Sequence, residues 1–319
     1  PGHRKAFLNI PPTPVTVPYK HRCTERSIMG PPLATSASFR PWCWPGGPGW
    51  LLHDNEGSFQ GWFDWLPIHL RVGPWHPTAF LFLAVFYTGI FVMRPPLDYP
   101  PSAVPAYSEW WWADAIAFAY CLFVAGVSWT RCGGVWPYVI SYTGWSWVIL
   151  AARAGCTAAG AALGSTALAR IGSALRAPAI VGATITFVLW NVILFPLIFS
   201  VVPKEPKPSK AKSHFGDRRT FLQFNFSFFM INVHVLNLGL AGLNVVYGGG
   251  TRLLGPSDLW AAFVVMGLYS STYLGALDRA GLHFYPMFTP RSPVCVVAYC
   301  ALFGAYFGVW RACNALIAS

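Results

Sequence analysis

Acidic residues are scarce in this chain: Asp and Glu together number 11 in 319 residues, and all charged residues make up 10%. Soluble domains average about 25% charged residues, so a water-exposed globular fold is excluded. Lys and Arg number 22 and leave a formal charge of +11, yet no Arg-rich recognition helix or other nucleic-acid motif is present. The eight cysteines contain no C-x-x-C, which removes both a zinc ribbon and a secreted disulfide framework. No G-x-S-x-G elbow, H-E-x-x-H pair, Walker loop or paired haem histidines occur, and no metal or cofactor is expected. The last lysine is Lys212, so no late span offers a Schiff-base lysine of the retinal type. A fixed-period repeat is absent too, which disfavours a transporter built of inverted halves.

What the chain has in abundance is apolar and aromatic surface, at 55% and 17% of residues. Set against the ~20 apolar residues that cross a bilayer, seven segments stand out. They are Thr78–Met93, Trp111–Trp129, Trp136–Leu163, Ala177–Val202, Thr220–Gly250, Leu259–Leu277 and Val294–Ala315. The expected fold is therefore all-α, a polytopic bundle of about seven transmembrane helices. Residues 1–75, rich in Trp, Pro and Gly (PWCWPGGPGW at 41–50), lack a helical period. They read as an irregular extension on the membrane surface or on other membrane subunits. Residues 76–107 supply an extra N-terminal span and linker, and 108–319 the six-helix core. Of the 22 basic residues, seven fall before position 72 and six between Lys204 and Arg219. This asymmetry sets both clusters on one side, with the termini on opposite sides. The partners implied are membrane lipids, not nucleic acid.

Two stretches carry polar groups where lipid tolerates few. In FFMINVHVLNLGLAGLN (228–244), His234, Asn237 and Asn244 fall on one helical face. An ionisable group in a span is a functional candidate, and a helix-packing histidine satisfied by a neighbouring helix is the plainer alternative. In SYTGWSWVIL (141–150), Thr143 is the hydroxyl that such a histidine could activate, the alternative being a bond back to its own helix. Asn237 would orient the imidazole or donate to an oxyanion. A direct Thr143–His234 contact faces one obstacle: counted along the spans, the two differ in depth by roughly 9 Å at 1.5 Å per residue. Asp278-Arg279 reads as a solvated helix end, and Arg153 as a side chain that snorkels or pairs. The crowded glycines and alanines of AARAGCTAAGAALG (151–164) point to close helix packing, and Asn191 with Pro196 to a kinked fourth span.

Three landmarks together resemble a known family. Tyr142-Thr143-Gly144-Trp145 resembles the YTxW signature of the rolling-stone and androgen-induced-gene-like membrane proteins. The 228–244 stretch resembles that family's histidine span, with His234 at the matching place. Phe284-Tyr285-Pro286-Met287-Phe288 resembles its turn before the last helix. The likeness covers about residues 108–316. It implies an intramembrane threonine hydrolase for fatty-acid esters of hydroxy fatty acids, with Thr143 as nucleophile and His234 as base. YTGW sits closer to the rolling-stone branch, which has no settled chemistry. The residues thus leave open a lipid hydrolase, a non-catalytic structural or accessory subunit of a larger complex, and a transporter, channel or cofactor-binding protein.

Overall fold

The computed structural model describes residues 74–96, 111–132, 136–202, 218–247, 252–278 and 285–318. Residues 1–73, and with them nearly all of the expected surface extension, lie outside the described residues, as does the basic loop 203–217. Among the described residues there is no strand, and six helical stretches are long and apolar enough to cross a membrane. They run over Trp111–Ser128, Tyr142–Leu163, Thr166–Ser200, Phe228–Val245, Pro256–Leu277 and Val294–Ala318. A shorter apolar helix, Pro77–Val92, precedes them. This is a multi-pass helical membrane protein.

The elements are α1 (Pro77–Val92), α2 (Trp111–Cys132), α3 (Trp136–Ile140), α4 (Tyr142–Leu163), α5 (Thr166–Ala174) and α6 (Arg176–Phe187). There follow α7 (Phe195–Val201), α8 (Arg218–Asn225), α9 (Phe228–Ile231), α10 (Asn237–Tyr247), α11 (Pro256–Thr272) and α12 (Val294–Ala318). Three stretches of wide π-type turn interrupt the regular pattern, at Val188–Leu194, Asn232–Leu236 and Tyr273–Leu277.

Two apolar runs that read as single spans are broken by serine caps. The run from Trp136 pauses at Ser141, whose backbone is extended and whose hydroxyl accepts from the Gly144 N–H at 3.0 Å. Such a side-chain acceptor satisfies one of the orphan donors of a helix start. The carbonyls left at the end of α3 find partners in turn: Val139 O accepts from Trp145 Nε1 at 2.9 Å and Ile140 O from the Tyr269 hydroxyl at 3.1 Å. The stretch from Thr220 breaks likewise at Ser227, which accepts from Met230 N at 3.4 Å. The expected fourth span begins earlier than Ala177, because α5 and α6 follow each other with one bend at Leu175.

With lipid on the outside, helices gain little from hiding apolar surface against each other, so close backbone approach carries the packing. The small residues of α4 serve this purpose. A Cβ on Gly160 would stand 2.8 Å from the backbone nitrogen of Ala169 on α5, and one on Gly155 would stand 2.9 Å from the ring of Phe118 on α2. From α5, Gly172 meets Thr157 so closely that an added Cβ would fall 2.5 Å from its hydroxyl. The reversal between α4 and α5 rests on Gly164, at φ 62° and ψ 23°, where a β-carbon would be strained.

Helix α1 lies along α11. Trp75 Nε1 donates to Asp278 at 3.2 Å at one end, and Ile90 O accepts from Trp260 Nε1 at 2.7 Å at the other. Between them the Tyr87 hydroxyl meets Ser270 Oγ at 2.6 Å.

Candidate functional site

Thr143 is the second residue of α4, directly after the Ser141 cap. The phenol of Tyr285, from the loop before α12, sits over this helix start. It is hydrogen-bonded to the backbone of Tyr142 and Thr143 and to the Thr143 hydroxyl. Burial pushes the Tyr285 phenol up to about 12, and those hydrogen bonds pull in the opposite direction. The Thr143 hydroxyl thus faces Tyr285 from another element.

His234 lies in the wide turn Asn232–Leu236 and is buried. Its ring stacks on Trp190 with centroids 4.7 Å apart and planes 25° from parallel. The imidazole bonds to the backbone carbonyl of Thr186, and its Nδ1 has no protein partner. Asn191 Nδ2 donates at 3.2 Å to the backbone carbonyl of His234, while Trp190 Nε1 donates to Asn225 Oδ1 at 2.7 Å. The contacts of the His234 ring with Thr186 and Trp190 come from α6 and the wide turn after it.

Asn237 is fully buried. Its amide nitrogen donates to Ser146 Oγ at 3.0 Å and to Val233 O at 3.4 Å. The Asn237–Ser146 bond spans 91 residues. The same offset separates Asn244 from Arg153, which both donate to Asp114, and it separates His234 from Thr143. Parallel α4 and α10 therefore keep one register over these pairs, and the same register carried three residues back would bring Thr143 and His234 to one level. They nevertheless turn to different neighbours, and no hydrogen bond joins them among the described residues. The predicted single face also divides. The wide turn, with more residues per revolution than an α-helix, aims His234 at α6 while Asn237 meets α4 and Asn244 reaches α2.

A cavity of about 30 Å³ lies among α4, α6, α11 and α12, lined by Tyr142, Tyr269, Tyr273, Tyr285 and Tyr299 with Ile185 and Leu189. Its lining is aromatic and aliphatic, with five tyrosine rings in the wall. Several of its hydroxyls are already engaged. Tyr142 bonds Tyr306, Tyr269 bonds Ile140 O, and Tyr273 bonds Tyr285 O at 3.2 Å. Ile185 and Leu189 face this cavity, whereas the residues next to each, Thr186 and Trp190, hold His234. His234 is not among the residues that line the cavity.

The remaining buried charge is bound up in polar ties, most of which local sequence did not reveal. Asp114 accepts from Arg153 at 3.4 Å and from Asn244 at 2.8 Å, all three buried. Arg176 donates to Val245 O at 2.5 Å and Arg252 O at 2.8 Å, a cation against the carbonyl end of α10 where the helix dipole is negative. Arg252 forks onto both oxygens of Asp258, at 2.8 and 2.9 Å. The reading of Asp278 as a solvated helix end is corrected here. Its side chain is buried and is held by Arg291 from the following loop and by Trp75. The fork was foreshadowed by Gly255-Pro-Ser-Asp258, a helix-start pattern in which Asp258 accepts from Gly255 N at 2.7 Å. Nothing local signals Arg291 for Asp278, 13 residues away across a loop.

Among the described residues no three His, Cys, Asp or Glu side chains gather as metal ligands would. No family model matches the chain, and neither a curated protein nor a solved structure matches it.

Proposed function

We propose that this protein is a non-catalytic membrane subunit, a helical scaffold within a larger assembly. The observation that carries the reading is the separate engagement of Thr143 and His234. One meets Tyr285 and the other meets Thr186 and stacks on Trp190, and the histidine does not line the cavity. A catalytic pair needs the hydroxyl within hydrogen-bond reach of the base. Ties between helices need only what these residues already do. In this reading the scaffold has seven spans. Helix α1, about 24 Å long at 1.5 Å per residue, runs the length of spanning α11 and crosses with it, the bilayer thinning or its flanking residues snorkelling to meet it. The Trp/Pro-rich extension then docks on lipid headgroups or neighbouring subunits.

The test is native electrophoresis of the full chain, solubilised from its own membrane in a mild detergent, alongside labelling with a fluorophosphonate hydrolase probe. The scaffold reading expects migration in an assembly well above the monomer and no labelling. A monomer whose labelling is lost in Thr143→Ala would overturn it.

One observation favours the second reading, an intramembrane threonine hydrolase acting on lipid acyl esters. The α4–α10 register carried back would bring Thr143 level with His234, and Thr143 lies at a helix start whose backbone N–H groups are the kind of donors that stabilise an oxyanion. In that reading Tyr285 must swing away from Thr143, opening the tyrosine cavity to an ester carbonyl, and Asn237 supports the site. Turnover of a fatty-acid ester of a hydroxy fatty acid, lost in both Thr143→Ala and His234→Ala, is its signature.

A further inference from the structure

Five tyrosines and Phe288 wall the cavity among α4, α6, α11 and α12, and neighbouring rings stand at steep angles. Tyr142 meets Tyr269 at 5.3 Å between centroids with planes 70° apart, and Tyr285 meets Phe288 at 6.1 Å and 73°. Phe288 in turn meets Tyr299 at 5.0 Å and 51°. Crossed rings of this kind can form the sides of a box. The polar ends of these side chains are engaged elsewhere. Tyr142 bonds Tyr306, Tyr269 donates to Ile140 O, Tyr273 donates to Tyr285 O, and Tyr285 meets Thr143. Ser270, also in the wall, shares its hydroxyl with Tyr87 and Gly267 O. What faces the cavity is ring and aliphatic carbon.

Such a wall narrows the choice of occupant. A sugar, a carboxylate, a phosphate or a primary ammonium would give up water with no hydrogen bond in return, and an anion would also meet the negative faces of the rings. A quaternary ammonium has no N–H to satisfy, and its charge, spread over its methyl groups, is attracted by aromatic faces. An apolar molecule is the competitor, and depth separates the two. Tyr142 is the first residue of α4, Tyr273 opens the wide turn Tyr273–Leu277 that follows α11, and Tyr299 lies in the second turn of α12. Tyr285 and Phe288 come from the segment just before α12. The aromatic walls therefore sit toward the helix ends, nearer the lipid headgroups than the bilayer centre. Asp278, close by in sequence, is already matched by Arg291, so the rings must supply the attraction.

We propose that this cavity takes the trimethylammonium end of a choline-headed lipid. It is tight at about 30 Å³, so the walls that the loop carries, Tyr285 and Phe288, both half-buried, ease outward as the group enters. This role goes beyond the scaffold reading and does not depend on whether Thr143 is a nucleophile.

The experiment uses the full chain in nanodiscs of phosphatidylethanolamine and phosphatidylglycerol, doped with phosphatidylcholine whose N-methyl carbons carry 13C. The expected result is a bound N-methyl signal shifted upfield by ring currents, with magnetisation transferred to it from tyrosine ring protons. Phe288→Leu should weaken that binding roughly three- to thirtyfold, the worth of one ring face on a cation, whereas Tyr299→Phe, which keeps its ring, should leave it unchanged. A lipid with a tert-butyl group in place of the trimethylammonium keeps the shape without the charge and should not displace the labelled lipid. An unshifted N-methyl signal, equal displacement by the tert-butyl lipid, or a Phe288→Leu variant that binds like the wild type would overturn the proposal. Free choline that binds as tightly as the lipid would overturn the assignment to a lipid. If Phe288→Leu does not fold, the wild-type shift and the tert-butyl competition decide.

Discussion

Replacing Asp114 with alanine is the most severe single change to the buried polar network that the structure points to. The Asp114 carboxylate accepts from Arg153 and Asn244, and Arg153 is only 2% exposed. Taking away that carboxylate leaves a guanidinium in the interior without the charge it faces, a change that costs about 3–5 kcal/mol. At roughly 2–4 °C per kcal/mol for a domain of comparable size, the melting temperature should fall by about 6–20 °C. The informative comparison is the double variant Asp114→Ala/Arg153→Met. It removes both charges and keeps the volume of the arginine stem, so it should recover most of the loss. The sum of the two single losses should then exceed the loss in the double variant by several kcal/mol. Fluorescence-detected gel filtration of heated, detergent-solubilised protein measures all four proteins. If Asp114→Ala melts with the wild type, or if the double variant falls as far as the sum of the singles, the network does not bear the stability assigned to it.

Three further outcomes are expected. Tyr285 has a folded value near 12 against 10.0 for the free phenol. Its contribution should therefore be fully present below about pH 10 and be lost as pH rises towards 12, and melting curves across that window should slope less steeply in Tyr285→Phe. Gly160→Val presses a side chain on the backbone of Ala169 and should cost about 1–3 kcal/mol, read as earlier aggregation on heating. Asp278→Ala should remove the acceptor that Arg291 and Trp75 share, raising protease sensitivity at residues 285–293 while leaving the six spans inserted.

The spans were legible because each needs a long apolar run, and composition records that directly. Their internal breaks were not, since Ser141 and Ser227 interrupt runs that stay apolar on both sides and the signal is one capping hydroxyl each. The sequence singled out Thr143, His234 and Asn237 as polar groups inside spans, and all three are bonded to other elements, Asn237 also to Val233 O. Which element each would meet was hidden, because it depends on the wide turn at Asn232–Leu236. A regular 3.6-residue period carries His234 and Asn237 round together, and one extra residue in the turn parts them. The pairing of Asp278 with Arg291 and Trp75 was equally out of reach, being set by how a loop folds back and not by neighbours in sequence.

The Asp114 network also constrains the order in which the protein enters its membrane. Asp114 arrives with α2, Arg153 follows 39 residues later, and Asn244 is 130 residues away. Until α4 emerges, α2 carries a carboxylate whose counter-charge has not been made. Its place in the first turn of α2 should let it wait at headgroup depth, where water can still reach it. The arrival of α4 should then supply that counter-charge, and α2 and α4 are expected to insert as one unit. A nascent chain halted before Arg153 should let α2 slip back out.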